Sequence, residues 1–211
     1  MAIAQTTTIF FSAITIMLFS SSVVAHTSGD VGGKPKAADF VTKVCKNATA
    51  NYDEQIHLTE KFCVSTLWSD NRSEKAKDLR DLELIGIDIL KARVVTTNGK
   101  VQEMLHKAKT GTSMARRLTF CKLDYDVTVS ITNVCTALLK DYRGLDGGDN
   151  DGPPSFMLPH CVEQVNTLSG YCGHELLDMP ELHALFNENL DLSMLAHLNM
   201  ALLAPYKDND S

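Results

Sequence analysis

No basic surplus runs through this chain: 20 lysines and arginines stand against 26 aspartates and glutamates, a formal net charge of −6. A surface that follows a phosphate backbone needs the opposite balance, so nucleic acid is excluded as a partner. Beyond residue 25 no apolar run approaches the roughly 20 residues that cross a bilayer. Alternating apolar and polar residues, the mark of a half-buried strand, are also missing, which argues against a sheet. No CxxC and no paired Cys/His spacing occurs, so a zinc site is not expected. His174-Glu175 has no second histidine one turn on, as a zinc protease helix requires, and Ser169 in TLSGY lacks the first glycine of a nucleophile elbow. The remaining histidines, His57, His106, His183 and His197 among them, are scattered and read as surface or satisfied helix residues. The chain is expected to be no enzyme, with no catalytic residue, metal or cofactor.

What is present begins with residues 1–25, which carry no charge, hold an apolar run from Ile9 to Phe19 and end in Val23-Val24-Ala25. This is the pattern of a secretory signal peptide cut after Ala25. Removing 25 of 211 residues leaves 186, enough for one core and a single domain. The expected product is a secreted, extracellular protein with no membrane association after cleavage. All six cysteines, Cys45, Cys63, Cys121, Cys135, Cys161 and Cys172, lie beyond the signal, and an even count in that compartment reads as a disulfide framework. Two sequons, at Asn47 and Asn71, make both asparagines glycosylation candidates.

Residues 26–37 read as an N-terminal arm and 205–211 as a tail, leaving 38–204 for the folded domain. From Ser73 to Thr97, Leu79, Leu82, Ile85, Ile89, Ala92 and Val95 recur at steps of three and four, predicting a long amphipathic helix that Ser73 caps. Asp81, Glu83, Asp88, Lys91 and Arg93 fall between those apolar positions without the alternation of a strand. Asn98-Gly99 is expected to break this helix before a shorter one over Lys100–Lys109. After Gly111 a second long helix, capped by Thr112 or Ser113, carries Leu118, Cys121, Tyr125, Val129, Thr132, Cys135 or Thr136, and Leu139 along one side and ends near Tyr142. The loop RGLDGGDNDGPP follows, over 143–154; it imitates the middle of a calcium loop but places Gly147 and Leu158 at the two end ligand positions, so it reads as a connector. Helices from about Ser155 to Tyr171 and from about Pro180 to Leu203 complete an all-α, up-and-down four-helix bundle preceded by an N-terminal helical hairpin.

Cysteine spacing acts as a set of distance constraints. If the helices flanking the loop run antiparallel about residue 148, facing residues have numbers summing to about 296; Cys135 with Cys161 gives 296 and Cys121 with Cys172 gives 293. Pairing Cys121 with Cys161 instead strands Cys135 and Cys172, displaced in opposite directions by about 21 and 16 Å, beyond disulfide reach. A loop folded back along one helix would shift this register. Cys45 and Cys63 remain, clipping the N-terminal hairpin.

Several segments resemble the plant invertase and pectin methylesterase inhibitor family. They are Cys45-Lys46-Asn47 with Thr49 and Tyr52, CVSTLWSDNRS from Cys63, LELIGIDILKARV from Leu82, Cys121 with Tyr125, and NLDLSMLAHLNMALL from Asn189. The likeness spans about Ala38 to Leu203, and counting back from Asn189 puts the fourth family cysteine at Cys172. It implies a secreted protein of the cell wall (apoplast) or vacuole that inhibits pectin methylesterase or invertase by one-to-one complex formation. It also implies that the turn after the third-cysteine helix makes contact, which nominates Tyr142, Arg143, Leu145 and Asp146 for partner binding. The family's invertase-binding Pro-Lys-Phe is absent there, and about eleven extra residues stand in its place; Cys135 and Cys161 are also additional. The missing motif tilts the expectation toward pectin methylesterase. The alternative is a non-inhibitory member, a secreted structural or allergen-like protein.

Overall fold

The computed structural model describes residues 35–50, 58–142 and 156–206. Six α-helices and no strand occur among them: α1 (Pro35–Ala50), α2 (Glu60–Trp68), α3 (Leu79–Lys107), α4 (Ser113–Asp141), α5 (Met157–Leu176) and α6 (His183–Leu202). Helices α3 to α6 pack in sequence order, and α3 closes the ring on α6, which is the up-and-down four-helix bundle. Helices α1 and α2 form the hairpin that precedes it. No helix among the described residues is long and apolar enough to cross a membrane.

Caps set most of the boundaries. Thr59 accepts from the Phe62 amide at 3.1 Å to start α2, and Thr112 accepts from Ala115 at 3.2 Å to start α4. Helix α3 is capped by Asp78, which accepts from the Asp81 amide at 3.0 Å. Ser73, expected in that role, instead lies buried in a short 3-10 turn (Asn71–Lys75), where its hydroxyl donates to the Leu67 carbonyl at 2.6 Å. Gly111, at φ 81°, makes the turn into α4 in the left-handed region that side chains disfavour.

The expected break at Asn98-Gly99 does not occur. Thr97 and Val101 are buried on either side of it, and Asn98 donates to Asp126 of α4 at 2.9 Å. Those contacts outweigh the roughly 1 kcal/mol that a mid-helix glycine costs. The buried face of α3 also differs from expectation. Ile87, Leu90, Val94, Thr97 and Val101 line the bundle, whereas Ala92 and Val95 are exposed. Leu82 and Ile85 turn toward the hairpin and join Val41, Leu58, Leu67, Leu198 and Leu202 in a second cluster. Two separate cores thus meet on α3, and a single stripe at helical spacing could not describe both.

Helical structure extends a few residues past both ends of the 38–204 span. Helix α1 starts at Pro35, inside the stretch expected to be an arm, and a 3-10 turn over Ala204–Tyr206 draws the start of the expected tail into the fold. In α5, Pro159 sits in the first turn, where its missing N–H is one of the amides without a helical partner anyway. Three disulfides tie the elements: Cys45–Cys63 joins α1 to α2 with Cα atoms 5.6 Å apart, and Cys121–Cys172 and Cys135–Cys161 join α4 to α5 at 4.6 and 5.6 Å.

Candidate functional site

The α4–α5 hairpin is cross-linked at two levels, and the second bridge, Cys135–Cys161, lies close below the point where α4 ends. There Tyr142 serves as the C-cap, its amide donating to the Leu138 carbonyl at 2.9 Å. Arg80 of α3 donates through Nη2 to the Leu139 and Lys140 carbonyls at 2.8 and 2.6 Å. A guanidinium there satisfies two of the last-turn carbonyls and opposes the negative end of the α4 dipole. On the other side the ring of Tyr142 meets Tyr206 edge to face, centroids 5.1 Å apart at 89°.

Tyr206 in turn donates its hydroxyl to Glu83 Oε2 at 2.9 Å. Glu83 is 1% exposed, and its Oε1 has no hydrogen-bond partner among the described residues. Burial pushes its carboxyl up to about 7; the Tyr206 hydrogen bond and the nearby Arg80 pull the other way, and Asp78 adds to the rise. The Tyr206 hydroxyl is raised as well, by burial first and the Glu83 charge second. The root of the segment that follows Tyr142 is therefore held from α3 by Arg80, from the end of α6 by Tyr206 and from α5 by a disulfide. This is a platform made by α3, α4, α5 and the 3-10 turn that follows α6.

Of the four nominated contact residues, Tyr142 belongs to that platform, partly buried. Arg143, Leu145 and Asp146 lie outside the described residues, as do His57 and most of the calcium-like loop. Asn47 and Asn71 are both exposed. Glu83, which stands in the sequence among the polar charges of α3, is buried, and neither Arg80 nor Tyr206 carries a local signal. The signal for Glu83 lay in the register: 83 continues the steps of three and four made by 87, 90, 94, 97 and 101, so the buried face of α3 runs through a glutamate.

The described residues assemble little that resembles a catalytic centre. Ser169 is buried and donates to the Val165 carbonyl at 2.8 Å, while His106, His160, His174 and His183 are exposed and spread over three helices. No group of three metal-capable side chains converges among the described residues. A second polar network, internal to the bundle, has Tyr125 donating to Asn189 Oδ1 at 2.6 Å, with Gly173 leaving the room that Asn189 occupies. Its role is packing.

The described residues form a disulfide-linked four-helix bundle preceded by a helical hairpin. The family model for plant invertase/pectin methylesterase inhibitors matches residues 39–152, more than half of the chain, and the chain belongs to that family. Two solved structures share the fold. A mutant form of a pectin methylesterase inhibitor from Arabidopsis superposes with a TM-score of 0.57 at 13% identity over 78% of this chain and 95% of that one. A pectin methylesterase inhibitor from Arabidopsis thaliana gives 0.51, also at 13% identity, over 79% and 95%. No curated protein sequence matches the chain.

Proposed function

We propose that this protein is a secreted inhibitor that binds pectin methylesterase or an invertase one to one and has no catalytic activity of its own. The observation that carries this reading is the double brace of the α4–α5 hairpin beneath a platform fixed by Arg80, Tyr142 and Tyr206. A contact surface held rigid before association loses less conformational entropy on binding, which is how a small inhibitor gains affinity. On this reading residues 1–25 are removed as a signal peptide, and the contact is made by Tyr142, Arg143, Leu145 and Asp146. The domain begins at the start of α1, and the exposed Asn47 and Asn71 are open to glycosylation in the secretory pathway. Pectin methylesterase is favoured because Pro-Lys-Phe is missing from the connecting segment.

The test is a titration of the purified secreted protein into a plant pectin methylesterase and into an acid invertase. Pectin methylesterase activity should fall to a plateau near one equivalent. Loss of invertase activity alone would overturn the choice of target. No loss of either at micromolar protein would overturn the inhibitor reading and favour the non-inhibitory alternative.

A further inference from the structure

Helix α4 carries two heptad seams, and the bundle uses only one. The inner seam is Leu118, Cys121, Tyr125, Thr128, Thr132, Cys135 and Leu139, all buried at alternating steps of three and four. Moving every position on by two gives Phe120, Leu123, Val127, Ser130, Val134, Ala137 and Asp141, the same alternation about 200° round the helix. This outer row faces solvent: Phe120, Leu123, Val127 and Val134 are 49, 56, 50 and 52% exposed, and Ser130, Ala137 and Asp141 are exposed too. Isolated exposed apolar residues are ordinary, but four of them in heptad register along one helix form the seam that a coiled-coil partner fills.

We infer that a second copy of this chain fills it, with two α4 helices packing antiparallel about a two-fold axis. In antiparallel pairs the two heptad positions of the seam face each other, so the axis falls between Val127 and Ser130 and facing residue numbers sum to 257. Phe120 then meets Ala137 of the other copy, Leu123 meets Val134, and Val127 meets Ser130, so each large side chain faces a smaller one. One step further out, Arg116 meets Asp141. Both are exposed, neither is in an ion pair among the described residues, and the two-fold axis forms this opposite-charge contact twice. The row matches its own reversed copy in size and in charge, which is why the occupant is a second copy.

The two Asp141 positions end about 38 Å apart along the seam, at 1.5 Å per residue over 25 residues. The two candidate contact ends therefore point away from each other, and each copy stays able to hold one enzyme.

Sedimentation velocity on the protein from a secretory host, from about 1 to 100 µM, should show monomer passing to dimer. Leu123→Glu should weaken dimerisation at least about ten-fold, since it sets a carboxylate against Val134 on each side of the axis. Arg116→Asp should do likewise by opposing Asp141, and Asp141→Arg by opposing Arg116; the double swap should restore the dimer. Each reversal suits its own helix end, an acid near the start and a base near the finish, so lost dimer is not lost fold, and circular dichroism checks this. A monomer at all concentrations overturns the proposal, as does a dimer indifferent to Leu123→Glu or a double swap that fails to rescue. So does a monomeric protein whose inhibition of either enzyme is abolished by Leu123→Glu, which would make the stripe an enzyme-docking face.

Discussion

Replacing Glu83 by glutamine should remove a pH dependence from the stability of the fold. The Glu83 carboxyl ordinarily titrates near 4.5 and is pushed up to about 7, burial being the main cause. A carboxyl raised in the folded state favours folding when protonated. Its contribution is complete below about pH 4.5 and is lost as pH rises through 7. The full swing is 1.36 kcal/mol for each of about 2.5 pH units, or about 3 kcal/mol. Groups that face it from neighbouring elements, Asp78, Arg80, Tyr206 and beyond it Tyr142, remain in the variant, so they largely cancel in the difference. The substituted side chain keeps an acceptor for the Tyr206 hydroxyl and carries no charge. Guanidinium unfolding of both proteins at pH 4.5, 6, 7 and 8, followed at 222 nm, measures the difference. Near pH 4.5 the two should agree within about 1 kcal/mol, and at pH 8 the variant should be more stable by about 2 to 3 kcal/mol, worth roughly 4 to 12 °C in Tm. Parallel pH profiles for the two proteins, or a variant weaker at every pH, would refute the burial argument.

Other substitutions report on separate parts of the fold. Gly99→Ala should stabilise by about 0.5 to 1 kcal/mol, because α3 runs through 99 and no atom beyond its own turns of helix lies within 4 Å of the added methyl; a loss would mean the helix is broken there. Gly173→Ala should cost about 1 to 3 kcal/mol, since the new Cβ would stand 2.7 Å from Asn189 Nδ2 and displace the acceptor of the Tyr125 hydroxyl; thermal unfolding reads both. Replacing Cys135 and Cys161 together by serine opens a crosslink of sequence separation 26 and should lower stability by about 3.5 kcal/mol in the loop-closure model, measured by denaturant unfolding. Ser73→Ala and Asn71→Gln both delete one sequon, but only the first removes the buried hydrogen bond to Leu67 and should cost about 1 to 2 kcal/mol when compared in unglycosylated protein.

Helix type and order were legible where periodic spacing, as along α4, and local punctuation coincide: Thr112 caps α4, Gly111 turns into it, and Pro180 stands before α6. Reading failed where tertiary contacts decide. Intrinsic propensity puts a stop at Asn98-Gly99, but burial of Thr97 and Val101 and the bond from Asn98 to Asp126 carry α3 past it. Its capping aspartate lies five residues beyond Ser73, which is itself committed to Leu67. Spacing also cannot show that one helix serves two cores, so Glu83 reads as surface charge although it lies on the inner row. The platform joins residues 80, 83, 142 and 206, brought together only by ring closure of the bundle, and no local pattern in the sequence links them.

The most direct single measurement is isothermal titration calorimetry of a plant pectin methylesterase with the secreted protein and with a variant in which Arg143, Leu145 and Asp146 are all changed to glycine. The expected result is saturable binding at one site per chain, weakened at least about ten-fold, or about 1.4 kcal/mol, in the variant. Absence of saturable heat, or an affinity unchanged by the triple substitution, would contradict an inhibitor that binds its enzyme through the end of the braced hairpin.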